Sequence, residues 1–464
     1  MSRSPSKCHP YIPNSNPTTQ ARMLAETGAS EINDFYRDIP QNLRFPGELN
    51  IPPALLSEEE LRRHVERLLG KNQHCRQYLS FLGAGCYQHQ VPAVCDEVNS
   101  RSEFLTAYAG EPYEDHGRFQ ALWEYTSLMG ELLKMDVVNV PTYDGCQAAA
   151  TAMRMAGRIT ERKEVLVAQT VNPERASHIS CYCRSDLTVR RVPYERTSGL
   201  IDRKALEGML SFKTAAVYFD NPTYLGAIEQ GPAIADMAHA HGALCVVGAD
   251  PSSLGVLRPP ADYGADIVCG DIQCLGIHMQ FGGGHGGFIA TRDEVKFVEQ
   301  FPSRLFGISE TCVPGEYGFG DVAYERTSFA QREKGREFVG TAAALWGITA
   351  GVYLALMGPA GMKELGEGIL LRSQYATQQL SNILGVKAPF HKAPFFKEFV
   401  VNFDAAGKSV AEINQKLLEH QIFGGKDLSS DFPDMGQSAL FCVTEVHTKD
   451  DIDRLADALR EVLK

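Results

Sequence analysis

Short apolar runs alternate with stretches of helical periodicity between residues 164 and 290. Several of these runs have the length and content of buried strands: Glu164–Ala168, Leu187–Val192, Ala215–Phe219, Leu244–Val247, Asp266–Cys269 and Gly286–Ala290. Helical segments lie between several of them, including the one from Ala233 to His241. Apolar strands separated by helices are typical of a parallel sheet that is covered on both faces. The pattern therefore predicts an α/β fold with a mostly parallel central sheet.

Helical patterns are also predicted on both sides of this region. Ser57-Glu58-Glu59-Glu60 has the form of a capping box, and the helix after it carries an apolar stripe made of Leu61, Val65, Leu68 and Leu69. Further helices are predicted over 118–133, from Gly145 to about Arg158, and over Ala342–Met357. The last of these is shorter than a membrane span needs, so a buried core helix is expected there.

The pattern changes again after the region around 300–340, which is expected to be loop-rich. Strands are predicted at Glu398–Phe403 and Ala439–Val443, followed by an amphipathic helix at the end of the chain. The predicted organisation is an N-terminal arm and helical segment over 1–75, a large α/β domain over 76–365 and a small C-terminal α+β domain over 366–464.

Composition narrows the class of protein. The chain has 464 residues, of which 44% are hydrophobic and 22% charged, as in ordinary soluble globular proteins. Its formal net charge of −12 argues against nucleic acid or an anionic membrane surface as a partner. Its 12 cysteines show no C-x-x-C spacing, which favours free thiols in a reducing compartment. No apolar segment typical of a signal peptide is visible at the N-terminus, so a cytoplasmic location is expected.

The strand that ends before Asp250, with a second strand about twenty residues later, resembles the arrangement in aminotransferase-like enzymes. In those proteins the carboxylate pairs with the ring nitrogen of pyridoxal phosphate, and a lysine after the second strand binds the aldehyde. Here no lysine occurs between Arg258 and Arg292, and the matching position is Cys274. The cofactor phosphate of that class sits on a helix N-terminus, where this chain has Asp144. Both features predict that this chain binds no cofactor.

Loops rich in tyrosine, histidine and carboxylate are the candidate walls of a cleft. The candidate site residues on them are Tyr87, His89, Tyr108, Tyr113, Glu114 and His116. No metal site is predicted: His239 and His241 are two residues apart on a helix and point to different sides.

Nearly the whole chain resembles the α subunit (subunit 1) of two-chain P-proteins of the glycine cleavage system. The stretches that carry the resemblance include Ser80-Phe81-Leu82-Gly83-Ala84-Gly85, Ser100-Arg101-Ser102-Glu103-Phe104, Tyr143-Asp144-Gly145 and Pro259-Pro260-Ala261-Asp262-Tyr263-Gly264-Ala265-Asp266. The resemblance implies an aminotransferase-like fold (fold type I of the pyridoxal-phosphate-dependent transferases). It also implies the accessory half of a glycine dehydrogenase (decarboxylating), inactive without its β partner.

The resemblance further implies that the β subunit carries the pyridoxal phosphate. The assembled enzyme would decarboxylate glycine and pass the aminomethyl group to the lipoyl H-protein. A homodimer or an α2β2 assembly is expected. The chain departs from the family pattern at Asp115-His116-Gly117, around Asn172-Pro173-Glu174 and at Gly335-Arg336-Glu337-Phe338. Two alternatives therefore stay open: a cofactor-free homologue that acts as a binding or regulatory protein, and a paralogue that acts on another amino acid.

Overall fold

Parallel strands form the centre of this computed structural model, which describes residues 12, 16–45, 47, 49–104, 116–337 and 343–464. The helices of this part of the chain are α1 Pro17–Glu26, α2 Glu58–Leu69, α3 Ala93–Ser100, α4 His116–Leu133, α5 Gly145–Thr160, α6 Pro173–Cys183, α7 Arg203–Met209, α8 Gly231–Ala240, α9 Val295–Val298, α10 Ala344–Ser381, α11 Val410–Glu419 and α12 Lys449–Val462. The strands are β1 Leu79–Ser80, β2 Val137–Val138, β3 Glu164–Ala168, β4 Thr188–Val192, β5 Tyr194–Glu195, β6 Leu200–Ile201, β7 Thr214–Asn221, β8 Leu244–Ala249, β9 Ile267–Asp271, β10 Gly287–Thr291, β11 Phe306–Glu310, β12 Tyr317–Asp321, β13 Glu398–Asn402, β14 Ile422–Phe423, β15 Lys426–Asp427 and β16 Ser438–Cys442.

The central sheet has the strand order β2-β10-β9-β8-β7-β3-β4 within the described residues. The strands from β9 to β4 pair in parallel, whereas β10 is antiparallel to both of its neighbours. β7, β8 and β9 are buried along almost their whole length, because helices cover both faces of a sheet of this kind. The predicted mostly parallel α/β sheet is confirmed, and each predicted strand lies within two residues of an observed one.

A smaller antiparallel sheet, β13-β16-β15, carries a separate apolar cluster with α11 and α12. The predicted final helix is confirmed as α12, whose buried side chains are Ile452, Leu455, Ala456, Ala458, Leu459 and Val462. The predicted boundary at 365/366 falls inside α10. The division into 1–75, 76–365 and 366–464 stays a prediction.

α10 is longer than the helix expected from the apolar run. It is long and apolar enough to cross a membrane by length and composition, a property that core helices share. Ile348, Tyr353 and Ile369 are buried in this structure, as expected of a core helix. Gly358 interrupts the helical backbone at φ 57° immediately before Pro359, which lacks the amide hydrogen a continuous helix would need.

The expectation of a loop-rich region at 300–340 is wrong for its first half. β11 and β12 pair as an antiparallel hairpin, with Phe306 opposite Asp321 and Glu310 opposite Tyr317. Most of its side chains are partly or fully exposed, and two glycines interrupt β12. A strand without a buried alternating face leaves little signal in the sequence.

The chain divides into two units by contacts, 1–72 and 73–464. In the first unit, Ser57 caps α2, and its hydroxyl accepts a hydrogen bond from the Glu60 amide, which confirms half of the predicted capping box; the reciprocal bond from the Ser57 amide to the Glu60 side chain does not form. The apolar stripe of α2 is not buried: Leu61, Val65, Leu68 and Leu69 are each more than 40% exposed. α1 and α2 contain no buried residue.

Candidate functional site

Three carboxylates lie at the carboxyl ends of neighbouring parallel strands. Asp220 lies near the end of β7, Asp250 follows β8, and Asp271 ends β9. In open α/β sheets this edge is where ligands bind. A cleft of about 60 Å³ lies here, lined by Gly85, Tyr87, Asn172, Arg175, Asp220, Pro222, Thr223, Tyr224, Gly248, Ala249, Asp250, Asp271, Gln273 and Cys274. Clefts of about 590 and 550 Å³ elsewhere on the surface are larger but share no lining residue with it.

Asp250 is paired with a buried lysine that immediately precedes β13 of the smaller sheet. Lys397 Nζ lies 2.5 Å from Asp250 Oδ2, and the lysine is only 2% exposed. The Ser252 hydroxyl and amide both donate to Asp250 Oδ1, at 2.7 and 3.0 Å. Burial is the largest influence and alone would raise the pKa of Asp250, but the Lys397 ammonium, together with the Ser252 hydrogen bond and His89, holds that pKa below its usual range. Both groups are therefore charged at neutral pH.

Lys397 also has other partners. Its ammonium lies 3.4 Å from the centroid of the Tyr87 ring and donates to Ser252 Oγ at 3.3 Å. It lies 3.4 Å from His89 Nε2, and His89 Nδ1 lies 2.9 Å from Glu445 Oε2. A neutral imidazole with its proton on Nδ1 satisfies both contacts, donating to Glu445 and accepting from Lys397. Neither ring nitrogen of His89 is then free for another partner.

Glu445 and Glu398 have opposite electrostatic environments. Burial opposes the ionised form of Glu445, but His89 and the Gln90 amide lower the pKa of this carboxyl to about 2. Glu398 accepts from the Ala84 amide at 2.6 Å and from the Tyr87 hydroxyl at 3.0 Å. Burial dominates there and raises the pKa of Glu398 to about 7.

The loop from Gly83 to Gln90 is held closely against the smaller sheet and the end of β9. A Cβ atom at Gly83 would lie 2.5 Å from Glu398 Oε1 and 2.7 Å from Cys442 Cβ, so a side chain there would displace the loop. The Gln273 side chain accepts from the Tyr87 amide and donates to the Tyr87 carbonyl, both at 2.9 Å. This pairing fixes the position of Tyr87 in the cleft wall.

The N-terminus of α5 is occupied by two carboxylates. Asp144 caps the helix as predicted and accepts from the Gln147 amide at 2.7 Å. Asp271 Oδ2 accepts from the Gly145 amide at 2.8 Å, and His285 Nδ1 lies 3.1 Å from the same oxygen. Hydrogen bonds to Asp271 and Cys86 raise the pKa of His285 to about 10, so a cation stabilises the Asp271 carboxylate.

Cys274 lies beside Asp250, with its sulfur 3.5 Å from Asp250 Oδ1. It is 3% exposed, and burial and the neighbouring Asp250 raise the pKa of its thiol well above the usual range. A neutral buried thiol has neither the amine nor the charge that an aldehyde cofactor requires.

The residues at this edge do not fit pyridoxal phosphate, which the fold class implies. The Asp250 carboxylate, which would pair with the cofactor's ring nitrogen, is already paired with Lys397. The amide at the N-terminus of α5, which would bind the cofactor phosphate, already donates to Asp271. Lys397 cannot hold Asp250 and also bind the aldehyde, because these lie at opposite positions of the cofactor ring. The charged side chains at this edge of the sheet are therefore paired with one another.

The structure brings Tyr87 and His89 together at Asp250 and Lys397, as neighbours in one wall. Tyr108, Tyr113 and Glu114 lie outside the described residues. His116 begins α4, and its side chain also lies outside the described part. A role in the reaction stays a prediction for all of these residues.

The sequence reasoning missed Lys397, Glu398, Glu445 and the role of Asp271. Lys397 and Glu398 are charged neighbours in the apolar stretch Phe395-Phe396-Lys397-Glu398-Phe399-Val400, and two charges at the start of a buried strand are a usable signal. Their partners are far away along the chain, so no local spacing could identify them. His239 and His241 contact Asp266 and the Met237 carbonyl. No group of three potential metal ligands is present among the described residues.

Comparison with known proteins gives a consistent result along the chain. The sequence profile described as glycine cleavage system P-protein matches residues 9–459. Two curated relatives, from Staphylothermus marinus and Geobacillus kaustophilus, are both named probable glycine dehydrogenase (decarboxylating) subunit 1. Each is 39% identical; the matches cover 98% and 97% of this chain and 98% of each relative.

Solved structures show the same similarity. The crystal structure of an inhibitor-bound glycine decarboxylase (P-protein) of the glycine cleavage system superposes with a TM-score of 0.83 at 33% identity. This match covers 98% of this chain and all of the other. A NifS-like protein from Rickettsia africae superposes with a TM-score of 0.63 at 13% identity, covering 83% of this chain and 99% of the other. The second match supports the fold alone, which is the predicted fold type I of pyridoxal-phosphate-dependent enzymes.

Proposed function

This chain belongs to the glycine cleavage system P-protein family, and from that membership we propose that it is the accessory α half of a glycine dehydrogenase (decarboxylating). The observation that carries the proposal is the end-to-end match with proteins named subunit 1 of that enzyme. The assembled enzyme decarboxylates glycine and transfers the aminomethyl group to the lipoyl H-protein. A second candidate, a cofactor-free binding or regulatory protein, has no comparable observation in its favour.

In this proposal the chain binds no pyridoxal phosphate, and its β partner carries the cofactor. Cys274 stands where a lysine would be needed, and the groups that would receive the two charged ends of the cofactor are already paired inside the protein. The cofactor supplies an electron sink for the carbanion formed in decarboxylation. In this proposal the residues of this chain contribute to the reaction by forming and positioning part of the cleft wall.

The proposed assembly is a homodimer or an α2β2 complex in the cytoplasm, with the β subunit as the direct partner. It is supported by the exposed apolar side chains of the first unit, including the α2 stripe. Contiguous exposed apolar surface of this kind marks protein–protein contacts. Tyr87 and His89 are proposed as part of a wall that faces the partner's reaction site, which also lies near the dock for the H-protein.

The test uses the full chain alone and with a β-type partner from the same genome. The chain alone is expected to be colourless and to give no exchange of labelled bicarbonate into glycine. The mixture with partner and H-protein is expected to catalyse that exchange. Activity of the chain alone, or failure of a folded, assembled mixture to exchange glycine while another amino acid reacts, contradicts the proposal.

A further inference from the structure

We propose that Lys397 and Asp271 are internal substitutes for the two charged ends of pyridoxal phosphate. The Lys397 ammonium takes the place of the protonated ring nitrogen on Asp250, and the Asp271 carboxylate takes the place of the phosphate at the start of α5. The inference rests on the proposed absence of cofactor from this chain and adds how the site stays folded without it.

The cationic end is built with more contacts than an incidental ion pair has. Lys397 reaches Asp250 from a backbone with φ 48°, in the left-handed region that non-glycine residues rarely adopt. Its ammonium has three hydrogen-bonding partners, Asp250, Ser252 and His89, and lies over the Tyr87 ring. These partners satisfy the three donors of a lysine whose side chain is 2% exposed.

The anionic end is built where β9 ends beside the start of α5. Asp271 accepts from the Gly145 amide, which is the first residue of α5, and from the Gln273 amide at 2.9 Å. Helix N-termini favour an anion because their amides are unpaired and the helix dipole is positive there. His285 completes the contacts of the carboxylate. Asp271 thus meets the needs that a phosphate would otherwise meet.

The consequence is a cleft whose charges are balanced without any ligand. Without Lys397, the buried Asp250 carboxylate would be left unpaired, a strongly unfavourable state in a low-dielectric interior. In cofactor-binding relatives of this fold class the cofactor itself supplies that cation. Lys397 removes this dependence, so the chain can fold fully before it meets a partner.

The first test measures the ion pair through stability. Lys397→Met is expected to lower the melting temperature of the full chain by roughly 5 °C or more, because the buried Asp250 carboxylate loses its cationic partner. Adding Asp250→Asn to Lys397→Met is expected to recover most of that loss. Lys392→Met, at an exposed lysine on the same segment, is the matched control and should change little. If the double variant is no more stable than Lys397→Met alone, the pairing role is overturned.

The second test asks whether removing the substitutes opens the site to pyridoxal phosphate. Cys274→Lys alone is expected to take up no borohydride-fixed cofactor, because both ends of the site are still occupied. The triple variant Cys274→Lys/Lys397→Ala/Asp271→Asn is expected to fix the probe on the peptide that contains position 274. Its apparent affinity for pyridoxal phosphate should be at least 10-fold higher than that of Cys274→Lys. Pyridoxal lacks the phosphate, so its binding should become tighter with Lys397→Ala but should not change with Asp271→Asn.

Equal uptake by Cys274→Lys and the triple variant would overturn the proposal, and so would a folded triple variant that takes up no probe. If the triple variant does not fold, the stability cycle of Lys397 and Asp250 decides. Colour in the unmodified chain would instead contradict the proposed absence of cofactor, so the two failures are distinguishable.

Discussion

The first unit and the cleft of the second unit place apolar and charged side chains in opposite ways. In the first unit, leucines and other large apolar residues are exposed, among them Leu56 at 94% and Leu43 at 71%. Beside the cleft, Lys397 and Glu398 are 2% and 4% exposed and hydrogen-bonded inside the protein. Proteins usually bury apolar groups and expose charged ones. The contrast leads us to expect that the first unit acts in assembly and that the paired charges of the second unit act in folding.

The two regions are therefore expected to respond differently to substitution. Changes in the first unit should act on assembly and leave the folding of the rest unchanged. Changes in the cleft should act on folding through charges that lose their partners. The following predictions test this difference, beginning with the largest expected effect.

Reversing the polarity of the α2 stripe should disrupt assembly. Leu61→Asp with Leu68→Asp is expected to weaken association by roughly 100-fold or more, since each leucine contributes about 1.5–3 kcal/mol when it is fully buried. Analytical ultracentrifugation with the partner chain measures this. Glu66→Ala with Arg67→Ala, on the polar side of the same helix, is the matched control and should assemble normally. Normal assembly of the leucine variant would show that α2 has no role at the interface.

Glu398 should make stability fall as pH rises toward neutrality. Burial raises the pKa of Glu398 from 4.5 to about 7, so the folded state binds its proton more tightly than the unfolded state does. The stabilisation by that proton is complete below pH 4.5 and is lost as pH rises through about 7. The difference between these two pKa values corresponds to about 3 kcal/mol in the free energy of unfolding.

Glu398→Gln should remove this dependence. The variant is expected to gain stability relative to the unmodified chain between pH 5 and 8, as measured by urea unfolding at several pH values. Burial also raises the pKa of Glu229 to about 7, so only the difference between the two proteins is informative. Parallel stability curves for the two would contradict the assignment.

His89→Ala should lower stability by about 1–3 kcal/mol, because Glu445 loses its partner. Glycine exchange by the assembled enzyme should then fall in proportion to folded, assembled protein. Glu445→Gln is the companion variant, since it weakens the same contact from the other side. If His89→Ala instead lowers exchange by roughly 10²-fold with unchanged melting and assembly, His89 acts in the chemistry.

Sequence reasoning found what depends on local pattern and missed what depends on distant contacts. Apolar runs identified β3, β7, β8 and β9, because buried parallel strands are apolar along their length. The capping role of Asp144 was visible from its position before an alanine-rich helix. The pairing of Asp250 with Lys397 was not visible, because Lys397 precedes β13 of a different sheet and lies far away along the chain. The exposure of the α2 stripe was also hidden, since amphipathic periodicity shows which face is apolar and not what covers it.

The smallest prediction compares the same kind of contact in the two regions. Ser57 caps α2 with a 3.4 Å hydrogen bond in an exposed helix, and Asp144 caps α5 with a 2.7 Å bond in a mostly buried one. Replacing a capping side chain with alanine typically costs about 1 kcal/mol.

Asp144→Ala should lower the main melting transition, because α5 is part of the core around the central sheet. Ser57→Ala should leave that transition unchanged and lower only the helicity contributed by α2, seen as faster amide exchange over Leu61–Leu69. Calorimetry and hydrogen exchange on both variants measure the two effects. A shift of the main transition by Ser57→Ala as large as that by Asp144→Ala would mean that the first unit folds together with the cleft, and the contrast between the two regions would then apply to their surfaces and not to their folding.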